Sequence, residues 1–300
     1  MENELDKRIE AMLDEELRAI SAILEADILY YYGEINSEME EGIRKLLSRR
    51  HSDRLALVMT TSGGAYDAAE MIIDDLRHYH DDIQVILPDG AMSAGTVIAL
   101  SGDTLFMNYA LNLGPIDSQT AGKEGLRPCD GYARFGRELL NKKLLTDMTL
   151  PEYTIYENLD IARIFDEENM AKLPIDILTK TLNRNILKNG TQAKKIAEAL
   201  ADRSRWLTHG RPIRPAELRD MGIIVKDYST EPWSGRLDSW HEMEKTYLRY
   251  KDRKGILAHG CGTTGVERIA FEGNGGHRGA ERADEEKILP DSNGIHAMQI

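Results

Sequence analysis

The strongest constraint on the fold is an alternation of short apolar runs with helical segments, in which glycine or proline closes each run. Residues 55–59 are apolar at consecutive positions, as in a strand covered on both faces, and Ser62-Gly63-Gly64 closes that run. A helix is predicted over 67–79, and the next apolar run, 83–87, stops at Pro88-Asp89-Gly90. Strands that alternate with helices form right-handed crossovers. The sequence therefore predicts an α/β domain with a mostly parallel sheet.

The segments that flank this pattern predict additional elements at both ends of the chain. Apolar residues recur at helical spacing among many acidic ones before residue 27, which predicts an N-terminal amphipathic helix over 1–26. We expect the α/β domain over 27–228 and a C-terminal helix over 229–254. From residue 255 the composition turns to glycine, asparagine, histidine and charged residues without periodicity, so a flexible tail is predicted over 255–300.

Composition narrows the classes of function. The net charge of -13 disfavours a nucleic-acid partner, which needs clustered Lys and Arg. No stretch approaches the roughly 20 apolar residues that cross a bilayer, so no transmembrane segment is expected. The two cysteines, Cys129 and Cys261, are too few for a disulfide framework and lack paired zinc-ligand spacing. We therefore expect a cytoplasmic protein, and we read His259, Cys261 and His277 as tail residues rather than metal ligands.

The segment 89–96 contains the residue with the clearest chemical potential, Ser93. It lies between a buried strand and a helix of small residues, where backbone N–H groups have no partner within the helix. Such groups stabilise an oxyanion, and the N–H of Ala94 together with that of Gly64 is the pair we expect to do so. The alternative interpretation is that Ser93 only caps the helix and that the glycines only form a turn.

Four motifs resemble the serine dehydrogenase proteinases, a branch of the ClpP and signal-peptide-peptidase superfamily. They are Thr61-Ser62-Gly63-Gly64-Ala65, Gly90-Ala91-Met92-Ser93-Ala94-Gly95, Leu113-Gly114-Pro115-Ile116-Asp117-Ser118-Gln119 and Trp206-Leu207-Thr208-His209-Gly210-Arg211-Pro212-Ile213. The resemblance implies a ClpP/crotonase-like βαβ spiral. It also implies a serine-type endopeptidase that needs no cofactor, acts on peptides or unfolded proteins and assembles into a homo-oligomer.

Within this resemblance Ser93 is the nucleophile, and Gly64 and Ala94 form the oxyanion hole. Gly63, Tyr66, Gly114 and Pro115 are the residues predicted to line the substrate site, although Tyr66 fits a packing role equally well.

The general base is left open between lysine and histidine. The stretch Gly114-Pro115-Ile116-Asp117 offers no imidazole where ClpP carries its catalytic histidine. A lysine acts as base when burial lowers its pKa, and Lys142 and Lys143 follow Ser93 at a suitable distance, with Lys123 less favoured. His209 is the other candidate, because a neutral imidazole is the commonest base near neutral pH.

Two other functions are compatible with the same residues. A crotonase-like enzyme would use the two N–H groups to polarise the thioester carbonyl of an acyl-coenzyme A substrate. A catalytically weak scaffold would instead bind partners through its acidic N-terminal helix.

Overall fold

The computed structural model describes residues 4–122, 125–142, 145–185, 190–261 and 265–272. The strands are β1 (Asp27–Tyr32), β2 (Arg54–Thr61), β3 (Asp82–Ala91), β4 (Thr104–Phe106), β5 (Gln119–Gly122), β6 (Gly125–Pro128), β7 (Val225–Lys226), β8 (Arg253–Gly260) and β9 (Glu267–Glu272). The helices are α1 (Glu4–Leu24), α2 (Ser37–Leu47), α3 (Tyr66–Tyr79), α4 (Ala94–Ala99), α5 (Asp130–Leu140), α6 (Leu150–Glu157), α7 (Ile161–Asn185), α8 (Gly190–Ala201), α9 (Arg203–Trp206), α10 (Pro215–Asp220) and α11 (Ser234–Tyr250).

Seven strands form the central sheet, in the order β7-β4-β3-β2-β1-β8-β9. The strands from β7 to β1 are parallel to their neighbours, whereas β8 pairs antiparallel with β1 and β9 pairs antiparallel with β8. The remaining strands, β5 and β6, form a separate hairpin. The predicted α/β class with a mostly parallel sheet is confirmed.

Helices cover both faces of the sheet because alternate residues of the central strands are apolar on both sides. In β2, Leu55 and Leu57 face a core that helices α2, α3, α4, α7 and α8 complete, while Ala56 and Val58 face α1 and α11. The parallel strands therefore have no solvated face, as expected of βαβ architecture. No helix in the described ranges is long and apolar enough to cross a membrane.

The predicted N-terminal helix is present and docks on the sheet. Leu13, Leu17 and Ile20 of α1 are fully buried, and the indole N–H of Trp240 in α11 donates to the carbonyl of Leu13 at 2.8 Å. The amphipathic pattern of this segment thus serves the protein's own core.

The C-terminal part of the chain departs from the prediction. The tail expected from residue 255 is wrong for residues 255–260 and 267–272, which belong to β8 and β9. Ile256, Leu257 and Ala258 are completely buried against β1 and its covering helices. Hydrogen bonds between neighbouring backbones form these strands. A run of only three apolar residues near glycines is therefore sufficient for a strand here. Residues 273–300 of the predicted tail lie outside the described residues.

Candidate active site

The loops after two neighbouring parallel strands meet at the carboxyl edge of the sheet. The amide of Met92, which follows β3, donates to the carbonyl of Thr61 at the end of β2 at 3.1 Å. A β-carbon built on Gly63 would lie 2.8 Å from the Cβ of Ser93, and Gly63 has a φ of +100°. Only glycine allows this approach without strain, so the glycine loop and Ser93 are brought together as predicted.

Ser93 precedes α4 in an uncommon backbone conformation. Its φ of 53° and ψ of -120° are unfavourable for a residue with a β-carbon, and its side chain makes no capping hydrogen bond to the helix. The Oγ lies instead 3.0 Å from the hydroxyl of Tyr66, and the residue is 8% exposed. The interpretation of Ser93 as a simple helix cap therefore does not describe its hydrogen bonding.

Tyr66 links the serine to the loop that follows β4. Its hydroxyl donates to the carbonyl of Ile116 at 2.8 Å. Because a phenol has a single proton, the Ser93 hydroxyl is then the donor in its contact with Tyr66. Burial raises the pKa of Tyr66, an effect that the Ser93 hydrogen bond opposes and that the charges of Asp117 and Cys129 reinforce, so the phenol stays neutral. Sequence reasoning placed Tyr66 in the substrate groove and missed this contact.

Asp117, the residue after Ile116, forms an imidazole–carboxylate pair with His209. The Nδ1 of His209 lies 2.8 Å from Oδ1 of Asp117, which is 7% exposed. Gln119 donates to the other carboxylate oxygen at 2.9 Å, and the Arg203 guanidinium lies 3.7 Å from it. His209 was predicted as a candidate base, whereas its partner Asp117, although part of one of the four motifs, was not predicted as a site residue.

Among the lysine candidates, Lys142 lies in the described part of the chain and pairs with a carboxylate. The Lys142 ammonium lies 2.8 Å from a carboxylate oxygen of Glu152 and 3.3 Å from the carbonyl of Asp147. The hydrogen bond from Lys142 and, to a smaller extent, those from the backbone and hydroxyl of Thr149 lower the pKa of Glu152 to about 2. This amine therefore supports the start of α6. Lys123 and Lys143 lie outside the described residues.

Gly114 and Pro115 occupy a supporting position rather than an exposed one. Both are buried. The amide of Gly114 donates to Ala91 at 3.0 Å, and the hydroxyl of Thr96 donates to the Gly114 carbonyl at 2.7 Å. A β-carbon built on Gly114 would lie 2.9 Å from the sulfur of Met92. Gly114 therefore packs against the turn that carries Ser93, and a substrate-lining role for Gly114 and Pro115 stays a prediction.

The amide of Gly64 takes no part in the hydrogen bonds of the β-bridge that this residue forms with Ile35. Gly64 forms a parallel bridge with Ile35, in which the flanking residues make the hydrogen bonds: Ile35 donates to Gly63 at 2.8 Å and Ala65 donates to Ile35 at 2.9 Å. Within the described ranges, the N–H groups of Gly64 and Ala94 have no acceptor. Gly64 is also exposed.

A cleft of about 700 Å³ opens beside the same glycine loop. Its walls come from the ends of β1, β2, β8 and β9 and from the start of α2. The lining residues include Tyr32, Glu34, Asn36, Ser62, Lys254 and Phe271. The carboxyl edge of the sheet thus offers a polar cleft next to the loop that contacts Ser93.

One region of the chain matches a protein-family model. Residues 18–132 match the model of the ClpP-like SDH-type serine proteinases, a range that includes the glycine loop and Ser93. This match confirms the resemblance for the first three motifs, whereas the fourth, at 206–213, lies outside the matched range.

Two uncharacterized proteins of Methanocaldococcus jannaschii are similar to the chain. One is 25% identical over 197 residues, which is 63% of this chain and 59% of that protein. The other is 26% identical over 189 residues, or 63% of this chain and 57% of that protein. The chain thus spans less than two thirds of the length of these relatives.

Solved structures with detectable similarity include two proteases. A mutant of the 1510-N membrane-bound stomatin-specific protease in complex with a substrate peptide is 14% identical, with 81% of this chain and 85% of that chain covered and a TM-score of 0.43. ClpP1 from Listeria monocytogenes is also 14% identical, with coverages of 73% and 95% and a TM-score of 0.40.

Proposed function

The chain carries a ClpP-like SDH-type serine proteinase region over residues 18–132, and from this premise we propose that it is a serine peptidase with Ser93 as nucleophile. The observation that carries the proposal is the position of Ser93. Its hydroxyl is held away from the helix cap, on a turn that contacts the glycine loop. The backbone conformation of such a residue costs about 1–3 kcal/mol, and strain of this kind is concentrated at functional sites.

The N–H groups of Gly64 and Ala94 form the oxyanion hole in this proposal. They flank the serine in the two loops, and no acceptor in the described chain engages them. When Ser93 attacks a peptide carbonyl, the carbonyl oxygen gains charge, which aligned N–H groups stabilise. Loss of one such donor typically costs about 10²–10³ in kcat.

His209 is the proposed general base, and Asp117 positions it. The Nδ1–H of His209 donates to Asp117 and so fixes the imidazole with its Nε2 able to accept a proton, as in serine–histidine–aspartate enzymes. His209 takes the proton of Ser93 while the Oγ–carbon bond forms. It then returns that proton to the departing amine as the carbon–nitrogen bond breaks. Water attacks the acyl-enzyme with the same base and releases the acid.

Tyr66 positions Ser93 in the resting enzyme. Its bond to Ile116 occupies its only proton, so the phenolic oxygen is free to accept from the serine. This contact fixes the rotamer of the nucleophile, and substrate binding releases the hydroxyl toward His209.

We propose peptides or unfolded proteins as substrates, endopeptidase action without a cofactor, a cytoplasmic location and assembly as a homo-oligomer. Support for assembly comes from apolar side chains on α6 and α7. Leu150 is 79% exposed, Phe165 50% and Ile161 47%. Exposed apolar surface of this kind marks interaction sites.

The test is hydrolysis of unstructured peptides by purified variants. We expect Ser93→Ala and His209→Ala to lose activity while exposed Ser239→Ala and His78→Ala keep it. Asp117→Asn should lower kcat with little change in KM, because the imidazole loses its orientation.

Lys142→Ala and Lys143→Ala test the alternative base. If a lysine variant is inactive and His209→Ala is active, the assignment of His209 is wrong. Peptide hydrolysis that survives Ser93→Ala would refute the proposed nucleophile.

A further inference from the structure

Side chains from distant segments converge at the opposite edge of the sheet, where β1 begins. One ligand atom each of Asp27, His51 and Cys261 lies within 4.8 Å of the other two. Asp27 is the first residue of β1, His51 lies in the loop after α2, and Cys261 directly follows β8. The pairing of Ile28 with Gly260 sets Asp27 opposite Cys261. A carboxylate, an imidazole and a thiol are thus collected from three parts of the chain.

Two buried imidazoles adjoin this cluster, and each has at least one ring nitrogen without a hydrogen bond in the described part of the chain. His80, at the end of α3, is 1% exposed, and neither of its ring nitrogens has a partner among the described residues. Its Nε2 lies 3.7 Å from Oδ2 of Asp27, which is beyond hydrogen-bond length. His259 is 4% exposed, and its Nε2 is also without a partner in the described chain.

Unsatisfied buried groups of this kind need an explanation. Such a group destabilises the fold when no partner replaces the water that it loses on burial. An imidazole nitrogen that has no hydrogen-bond partner can donate its lone pair to a cation.

Two backbone amides hold the carboxylate of Asp27 in place. The N–H groups of His51 and Ser52 donate to its Oδ2 at 2.7 and 3.0 Å. Such hydrogen bonds from the protein orient a metal-ligating carboxylate.

We propose that this cluster binds a divalent transition-metal ion of the zinc type, with Asp27, His51, His80 and Cys261 as ligands and His259 packed beside them. Thiolate, imidazole and carboxylate are the donors of tetrahedral zinc sites, at about 2.0–2.3 Å from the metal. Ligand atoms around such an ion lie roughly 3.3–3.7 Å apart by tetrahedral geometry. The 3.7 Å between Asp27 and His80 meets that spacing. The ligand atoms of Asp27, His51 and Cys261 lie within 4.8 Å of one another, so binding of the ion requires these side chains to move closer together.

The ion has a structural role in this proposal. It joins β8 to β1 and ties the loop after α2 and the end of α3 to the same point. Ser93 lies at the carboxyl edge of the parallel strands, so the ion takes no part in peptide hydrolysis. The inference is independent of the proposed activity.

The test is metal binding by the full chain, purified without a metal-binding tag and treated with EDTA. We expect one equivalent of Zn²⁺ or Co²⁺ per chain, and a thiolate-to-Co²⁺ charge-transfer absorption in the Co²⁺ form. Cys261→Ser should abolish the absorption, whereas Cys129→Ser should retain it. Asp27→Asn should weaken binding more than about 100-fold, because even outer-shell partners of a metal cost about 10–100-fold.

A second measurement needs no variant. Zn²⁺ should slow the alkylation of Cys261 in the wild-type chain and leave that of Cys129 unchanged, as peptide mass spectrometry would show.

Glu242→Gln provides a further control. Asp89, His241 and Glu242 form a second candidate group, but the ammonium of Lys245 already pairs with Asp89 and Glu242. Binding below one equivalent, a cobalt absorption that survives Cys261→Ser, or alkylation of Cys261 unaffected by Zn²⁺ would overturn the proposal.

Discussion

Replacement of Ser93 by glycine should give a more stable protein than replacement by alanine. The residue has a φ of 53°, which strains any side chain with a β-carbon. Both variants lose the hydrogen bond to Tyr66, and in both the phenol keeps its bond to Ile116. The difference in unfolding free energy between Ser93→Gly and Ser93→Ala therefore isolates the backbone strain.

The magnitude follows from two opposing effects. Relief of strain at such a conformation contributes about 1–3 kcal/mol. The greater freedom of glycine in the unfolded chain offsets about 0.4–1 kcal/mol of it. We expect the unfolding free energy of Ser93→Gly to exceed that of Ser93→Ala by about 1 kcal/mol. This corresponds to roughly 2–4 °C in Tm if the chain behaves like domains of 150–250 residues.

Urea denaturation monitored by far-ultraviolet circular dichroism measures this difference. Ala99→Gly is the control, because Ala99 lies within α4 and glycine there should destabilise by at least about 1 kcal/mol. If Ser93→Ala proved as stable as Ser93→Gly, or more so, the serine would not be strained and the reasoning would be refuted.

Three further predictions concern the site and the pH dependence of stability. Tyr66→Phe should lower kcat and cost about 1 kcal/mol of stability, as a buried hydrogen bond does; unchanged kcat would remove its positioning role. Gly63→Ala should destabilise the fold by about 1–3 kcal/mol and impair labelling of Ser93 by a serine-directed phosphonate. Gly131→Ala should have neither effect, because a β-carbon there meets nothing within 4 Å. The folded pKa of His259 is about 4 against an ordinary 6.5. Unfolding free energy of the metal-free chain should therefore hold above pH 6.5 and fall toward pH 4, as the unfolded chain gains a proton that the folded ring lacks. His259→Gln should flatten that decline. If the variant and the wild type had the same pH profile, His259 would not be the group responsible.

The parallel half of the fold was predictable because strands buried on both faces give continuous apolar runs. Residues 55–59 and 83–87 carry that signal and became β2 and β3. The antiparallel strand β8 has only three buried apolar residues between glycines, and the hairpin of β5 and β6 is largely exposed. Neither has an apolar periodicity that distinguishes it from a loop.

The site was predictable where neighbouring parallel strands bring loops together. The meeting of Gly63 and Ser93 follows from the carboxyl ends of two adjacent strands. The pairing of His209 with Asp117 spans 92 residues, and only folding places those side chains within hydrogen-bond reach. The same applies to the cluster at Asp27, where the register of β8 on β1 brings Cys261 to the site.

The most direct test of the peptidase assignment is the site of covalent modification by a serine-directed phosphonate. Intact-mass and peptide-mapping measurements on the wild-type chain should show one phosphonate per chain, attached to Ser93, and none on Ser93→Ala that retains its native circular dichroism. Modification at another serine, or equal modification of the folded Ser93→Ala chain, would contradict the account.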